Sequence, residues 1–215
     1  MAWRMTNAEV ARLQRNLIAL RHDVGAVDGL FGPKTLAGLI RHVGAGAGAS
    51  IGAKATLLAL DMLAVFPTHG IVTPLRICHF LAQAAHETGG FRWMEEIWGP
   101  TAAQRRYEGR ADLGNVQKGD GLRFKGRGIF QLTGRANYAT FGRRIGVDLV
   151  AHPERAAAPA AAVLLACLYW TDRRLNPLAD NDNDLAITRK INGGTNGLAD
   201  RRDRLARAKR AWGIG

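Results

Sequence analysis

Apolar side chains return every three or four positions along most of the chain, interrupted by stretches crowded with glycine, proline and charge. Val10, Leu13, Leu17 and Leu20 recur at helical spacing with Arg12, Arg15, Asn16 and Arg21 between them. This predicts an amphipathic helix opening near Thr6 or Asn7, either of which can cap it. A turn follows over 25–35, where glycines permit positive φ and Pro33 suits the start of a short helix, Thr35 to His42. Gly44-Ala45-Gly46-Ala47-Gly48-Ala49-Ser50 reads as a flexible linker and the best domain boundary. Beyond it, an apolar-rich helix spans Lys54 to Val65, Pro67 and Gly70 break it, and the next helix runs from near Pro74 to about Glu87. Helices return at about 135–145, 157–174, 182–191 and 198–212. Between them, residues 99–128 are rich in glycine and charge and read as a long loop with room for a short hairpin. Long loops inside compact domains are usually functional.

At 215 residues the chain holds one sizeable domain and a small appendage. Its 47% apolar and 22% charged residues imply an ordinary core. The net charge of +12 is not ordinary and suggests an anionic partner: nucleic acid, a membrane surface or bacterial envelope polymers. An excess of Arg (24) over Lys (6) also fits coding bias, which weakens that inference. The densest basic stretch, Arg201 to Trp212, suits either an anionic outer-membrane surface or the solvated face of a last helix. No nucleic-acid-binding motif accompanies it. Cys78 and Cys167 are too far apart in sequence for a disulfide framework and read as buried free thiols of a protein made in a reducing cytosol. The N-terminus has no apolar signal core, so synthesis as a soluble cytoplasmic protein is expected. No His-Glu-x-x-His spacing occurs, and Gly126-Arg127-Gly128 lacks phosphate-loop spacing, so neither metal nor cofactor is expected.

The candidate chemistry lies around Glu87. Phe80, Ala84 and Glu87 share a helix face, and Glu87 occupies the last turn before Gly89-Gly90. Partial burial and the negative end of the helix dipole both favour the protonated carboxyl, as a general acid requires. A partner base is sought among Glu95, Glu96 and Glu108, and spacing alone does not choose. Arg106 and Arg110 flank Glu108, for which an ion pair is the simplest expectation. Trp93 and Trp98 suit either the core or a sugar-binding cleft.

Four motifs occur in order: Phe80-Leu81-Ala82-Gln83-Ala84-Ala85-His86-Glu87-Thr88-Gly89-Gly90, then Gly126-Arg127-Gly128-x-x-Gln131-Leu132-Thr133, then Asn137-Tyr138, then Ile191-Asn192-Gly193-Gly194. Together they resemble glycoside hydrolase family 19, and specifically its phage and bacterial wall-lysing members. The resemblance implies Glu87 as general acid, Glu96, nine residues on, as general base, and an inverting displacement by water held in part by Thr133. It places His86, Gln131, Asn137, Tyr138 and Asn192 at the substrate, although His86 by itself reads as a packing residue. It also places a basic residue near the C-terminus, Arg204 or less surely Arg201. Residues 9–42, with Asp28-Gly29-Leu30-Phe31-Gly32 at their centre, resemble the small peptidoglycan-binding module of bacterial and phage wall enzymes.

The expected architecture is mostly α: a helical N-terminal module (1–44), a linker (45–50) and a lysozyme-like, two-lobed helical catalytic domain (51–215). The expected activity is inverting hydrolysis of the β-1,4 glycan of peptidoglycan by a monomeric phage-type endolysin. It would be made in the host cytoplasm and reach the periplasmic wall after membrane permeabilisation. Chitin is the alternative substrate. A lytic transglycosylase, a catalytically dead wall-binding protein and a basic nucleic-acid binder are the competing readings.

Overall fold

Thr6 starts the first helix. Its hydroxyl accepts from the Glu9 amide at 3.2 Å, while the Glu9 carboxylate accepts from the Thr6 amide at 2.7 Å. This reciprocal box opens α1 (Asn7–Ala19), which buries Val10, Leu13, Gln14 and Leu17. The computed structural model describes residues 2–45 and 51–215; most of the expected linker lies outside the described residues. The chain forms two compact units, residues 1–92 with 167–215, and residues 93–166.

In the first unit the 25–35 turn is organised by a residue that periodicity alone does not flag. Buried Gln14 donates to Asp28 (2.7 Å), the Leu30 carbonyl (3.2 Å) and Thr35 (3.1 Å), and accepts from the Gly29 amide (2.9 Å). Gly29 has φ +72°, and a Cβ there would meet the Asn7 carbonyl at 2.9 Å. Helix α2 (Pro33–Val43) follows and packs on α3 (Gly52–Val65). Helix α3 turns Ala55, Leu58, Ala59 and Met62 inward.

Thr73 caps α4 (Pro74–Glu87), with Pro74 in its first turn, where a missing N–H costs nothing. Every residue from Ile77 to Ala85 is buried, so α4 is the central helix of this unit. It stops where Thr88 turns its hydroxyl back to the Ala84 carbonyl (2.6 Å) and accepts from the Phe91 amide (2.8 Å), and Gly89 and Gly90 take positive φ.

After Cys167 the chain re-enters this unit in the second part of α8 (Pro159–Asp172), then forms the short α9 (Asn176–Asp180), α10 (Asp184–Asn192) and α11 (Leu198–Trp212). Helix α11 packs along α4, burying Arg201, Leu205, Ala208, Ala211 and Trp212. Helix α1 lies on α11, where Arg12 donates to the Trp212 carbonyl (2.8 Å) and Asn16 to the Ala211 carbonyl (3.0 Å). The N-terminal helical pair therefore packs within the same unit as α4 and α11. Cys78 and Cys167 are buried and unbridged, and burial raises both thiols.

The second unit holds the expected long loop. It contains two single turns, α5 (Ala102–Arg105) and α6 (Asp120–Arg123), and then α7 (Arg135–Ile145). In place of a hairpin there are isolated bridges pairing Arg127 with Glu95 and with Leu132. Phe124, Tyr138, Leu149, Ala156 and Leu165 form its core. Buried Asp120 takes Arg135 at 2.5 Å, fastening α6 to the start of α7. The described residues are thus mostly helical, and none of their helices is long and apolar enough to cross a membrane.

Candidate active site

Glu87 ends α4 with its side chain about one-fifth exposed. Arg201, wholly buried on α11, donates one guanidinium nitrogen to the Glu87 carboxylate and another to the Gln83 side-chain oxygen one turn earlier. Gln83 in turn donates to Thr188 of α10 at 3.3 Å. The Glu87 carboxylate is thus ion-paired to a buried guanidinium. The basic residue that contacts Glu87 is Arg201, not Arg204. Arg204 donates to Asp200 (2.7 Å) and to the Val43 carbonyl (3.1 Å). Helical spacing alone does not separate the two: Arg201 lines up with Leu205, Ala208 and Trp212, and Arg204 with Ala208 and Ala211.

His86 bonds Asp200 through Nδ1 at 2.7 Å, and its ring lies against Gly197. It is a packing partner of the α11 start, as its own sequence context suggested. Asn192 ends α10 and is exposed.

In the second unit, one Glu96 carboxylate oxygen accepts from the Gln104 amide (3.0 Å) and the Tyr107 hydroxyl (3.5 Å); the other accepts from the Gly126 N–H (3.1 Å). Gln104 is buried and itself pinned, accepting from the Gly99 and Thr101 amides and donating to the Ile97 carbonyl. Burial and the adjacent Glu96 charge raise the Tyr107 phenol, so it stays a donor. Gly126 is tightly enclosed: a Cβ there would lie 2.6 Å from Gln131 Oε1 and 3.3 Å from Glu96 Oε2. Gln131 therefore sits beside Glu96 across that glycine. The Thr133 hydroxyl donates to the Gln131 carbonyl (2.9 Å), on the same turn.

The three candidate bases occupy different environments. Glu95 pairs with Lys125 (3.1 Å) and Arg127 (2.9 Å); burial pushes its carboxyl up, but the two cations bring it below the usual range. Glu108 does not form the expected ion pair. Its carboxylate clamps the loop by accepting from the Gly119 (2.6 Å) and Gly121 (2.8 Å) amides, while Arg110 pairs with Asp112. Glu96 is held by neutral donors.

Tyr138, expected at the substrate, is a core residue instead. It is wholly buried, donates to the Lys125 carbonyl (2.7 Å), accepts from Arg127 (3.1 Å), and burial pushes its phenol up to about 12. Its neighbour Asn137 is exposed, with its amide on the Thr133 carbonyl at 2.8 Å. Among the described residues no cluster of His, Cys, Asp or Glu is arranged to hold a metal ion.

The family model described as chitinase class I, of glycoside hydrolase family 19, matches residues 49–181. The chain belongs to glycoside hydrolase family 19. It is therefore a chitinase-related glycoside hydrolase. A family 19 domain-containing protein of Haemophilus influenzae is 34% identical over 167 residues, covering 65% of this chain and 80% of that protein. An endochitinase of Arabidopsis thaliana is 32% identical over 142 residues, which are 66% of this chain but only 47% of that protein. The fold is similar to that of chitinase C from Streptomyces griseus, with a TM-score of 0.63 and 21% identity, covering 82% of this chain and 91% of that one. The family 19 match spans Glu87, Glu96, Gln131 and Thr133 and ends before α11, so Arg201 comes from the fold rather than from the matched segment.

Proposed function

We propose that this family 19 hydrolase cleaves the β-1,4 glycan of bacterial peptidoglycan by an inverting mechanism. Glu87 protonates the leaving oxygen and Glu96 activates the attacking water. The observation that carries the pairing is the contrast among the three carboxylates. Glu95 is paired with two cations and Glu108 is consumed by a loop clamp, whereas Glu96 is oriented by the neutral donors Gln104, Tyr107 and Gly126. Gln131 and Thr133, next to Glu96, supply polar groups for the water and the sugar. Arg201 holds the Glu87 carboxyl in position.

The choice of peptidoglycan rests on the N-terminal segment, whose Asp28-Gly29-Leu30-Phe31-Gly32 turn resembles wall-binding modules and is held rigid by Gln14. Leu30 stands exposed on that turn, while Phe31 packs between Trp3 and Trp212. The biological role that fits is a phage-type endolysin, working as a monomer on the wall once the membrane has been breached. An outer-membrane role for α11 has less support, because its cations are mostly matched: Arg202 with Asp184, Arg204 with Asp200, Arg207 with Asp203 and Lys209 with Asp182. Chitin is the second reading, favoured by the endochitinases among the relatives. Mass spectrometry of purified sacculi and of chitohexaose after digestion decides. Soluble muropeptides with free reducing ends support the proposal. Intact sacculi with cleaved chitohexaose transfer it to chitin, and anhydro ends replace hydrolysis by transglycosylation.

A further inference from the structure

His86 precedes Glu87, and its side chain is gripped from two sides. Nδ1 meets Asp200 at 2.7 Å, and that same carboxylate oxygen takes Arg204 Nε at 2.7 Å. Arg204 continues through Nη1 to the Val43 carbonyl at the end of α2 (3.1 Å). On its other side the imidazole covers Gly197, the residue that caps α11. A Cβ there would lie 2.1 Å from the ring, and Gly197 holds φ +71°. Burial alone would raise the Asp200 carboxyl, but Arg204 and His86 hold it below the usual range, so it stays charged for both donors. A second contact runs parallel to this line: a Cβ on Gly44 would come within 3.0 Å of the Gly90 carbonyl and 3.2 Å of the Phe91 ring. The end of α2 thus abuts the turn that follows Glu87.

Arg201 stands one residue after Asp200 and one turn after Gly197, so whatever fixes the first turn of α11 against the last turn of α4 also fixes Arg201 on Glu87. We propose that His86, Asp200 and Arg204 form a positioning line that sets the Arg201–Glu87 contact. The line is anchored on the Val43 carbonyl, so the N-terminal helical pair serves the acid as well as any wall it binds. This inference rests on the reading of Glu87 as the acid.

The test uses full-length variants on purified sacculi or chitohexaose, whichever the unmodified chain cleaves faster. Asp200→Ala is expected to lower kcat about tenfold while KM stays within twofold, because a misplaced acid weakens the transition state more than substrate binding. Asp200→Asn keeps one acceptor and should recover part of that loss. In an Arg201→Ala background, Asp200→Ala should cost less than twofold, since the contact it positions is already gone. A folded Asp200→Ala chain with kcat within twofold, or multiplying losses in the double variant, overturns the positioning line. Glu87→Gln, measured alongside, separates the two failures: if it stays active, the acid assignment falls first. Should Asp200→Ala not fold, Arg204→Lys reads the same line, because its single ammonium cannot serve Asp200 and Val43 as the guanidinium fork does. There kcat is expected to fall about threefold at constant KM, and an unchanged kcat overturns the proposal.

Discussion

Arg201 bridges Gln83 and Glu87 with the two arms of one buried guanidinium. Arg201→Lys keeps the charge but loses the fork, so one of the two acceptors goes unserved. We expect kcat to fall at least about tenfold with the fold retained. Arg201→Ala should in addition destabilise the chain by about 2 kcal/mol, because a buried Gln83 acceptor is left unpaired. Steady-state rates and thermal unfolding of both variants check this, and a fully active Arg201→Ala enzyme would show that the bridge plays no part in catalysis.

The base assignment is tested by three isosteric changes. Glu96→Gln should cost at least about a hundredfold in rate while barely moving the thermal midpoint. Glu95→Gln weakens the ties to Lys125 and Arg127 and should lower stability while leaving the rate within a few-fold. Glu108→Gln loosens the clamp on the Gly119 and Gly121 amides, so its loss should appear first as faster proteolysis of the 99–128 loop. Full activity of Glu96→Gln would pass the base role to another carboxylate.

What the sequence made legible follows from what leaves a periodic trace. The helices of the first unit were readable because their apolar faces repeat and because Thr6, Pro74 and Gly89-Gly90 mark starts and stops. The place of Glu87 in the last turn of α4 was readable for the same reason. The short α9 was missed because five residues are too few for a period. Gln14 was passed over because a polar residue on a buried face gives no hint of which turn it will satisfy. Glu108 was misjudged because sequence shows neighbouring arginines but not the backbone amides of Gly119 and Gly121, thirteen or fewer residues on. Tyr138 was taken with Asn137 as a motif, yet adjacent helix positions point about 100° apart, and only one of the pair faces outward.

Gln104 links the fold of the second unit to Glu96. Its amide holds the carboxylate and the Ile97 carbonyl, and its oxygen takes the Gly99 and Thr101 amides. Gln104→Glu replaces that donor with an acceptor and places like charges together. We expect the rate to drop about thirtyfold at neutral pH and to recover partly in acid, where the new carboxyl is protonated. A pH-independent loss would point to collapse of the 97–104 turn instead.

His79 gives the fold a pH dependence of its own. It is wholly buried on α4, with Nε2 on Asp182 at 2.8 Å and Nδ1 buried without a partner among the described residues. Burial lowers its affinity for a proton, and Asp182 offsets this only in part. The unfolded chain titrates this histidine near 6.5, the folded chain lower. Above about pH 6.5 both states are neutral and the full stability is present. As pH falls below that value the unfolded state takes up a proton that the folded state refuses, and stability declines until the folded value is passed. His22 and His42, 3.4 Å apart, are shifted the same way, chiefly by burial, and add to the slope. The thermal midpoint should therefore drop between pH 7.5 and 5.5. In His79→Gln, which keeps a donor for Asp182 but cannot titrate, the drop should be shallower even though the midpoint at pH 7.5 is lower. An identical slope in the two proteins would show that folding leaves the proton affinity of His79 unchanged.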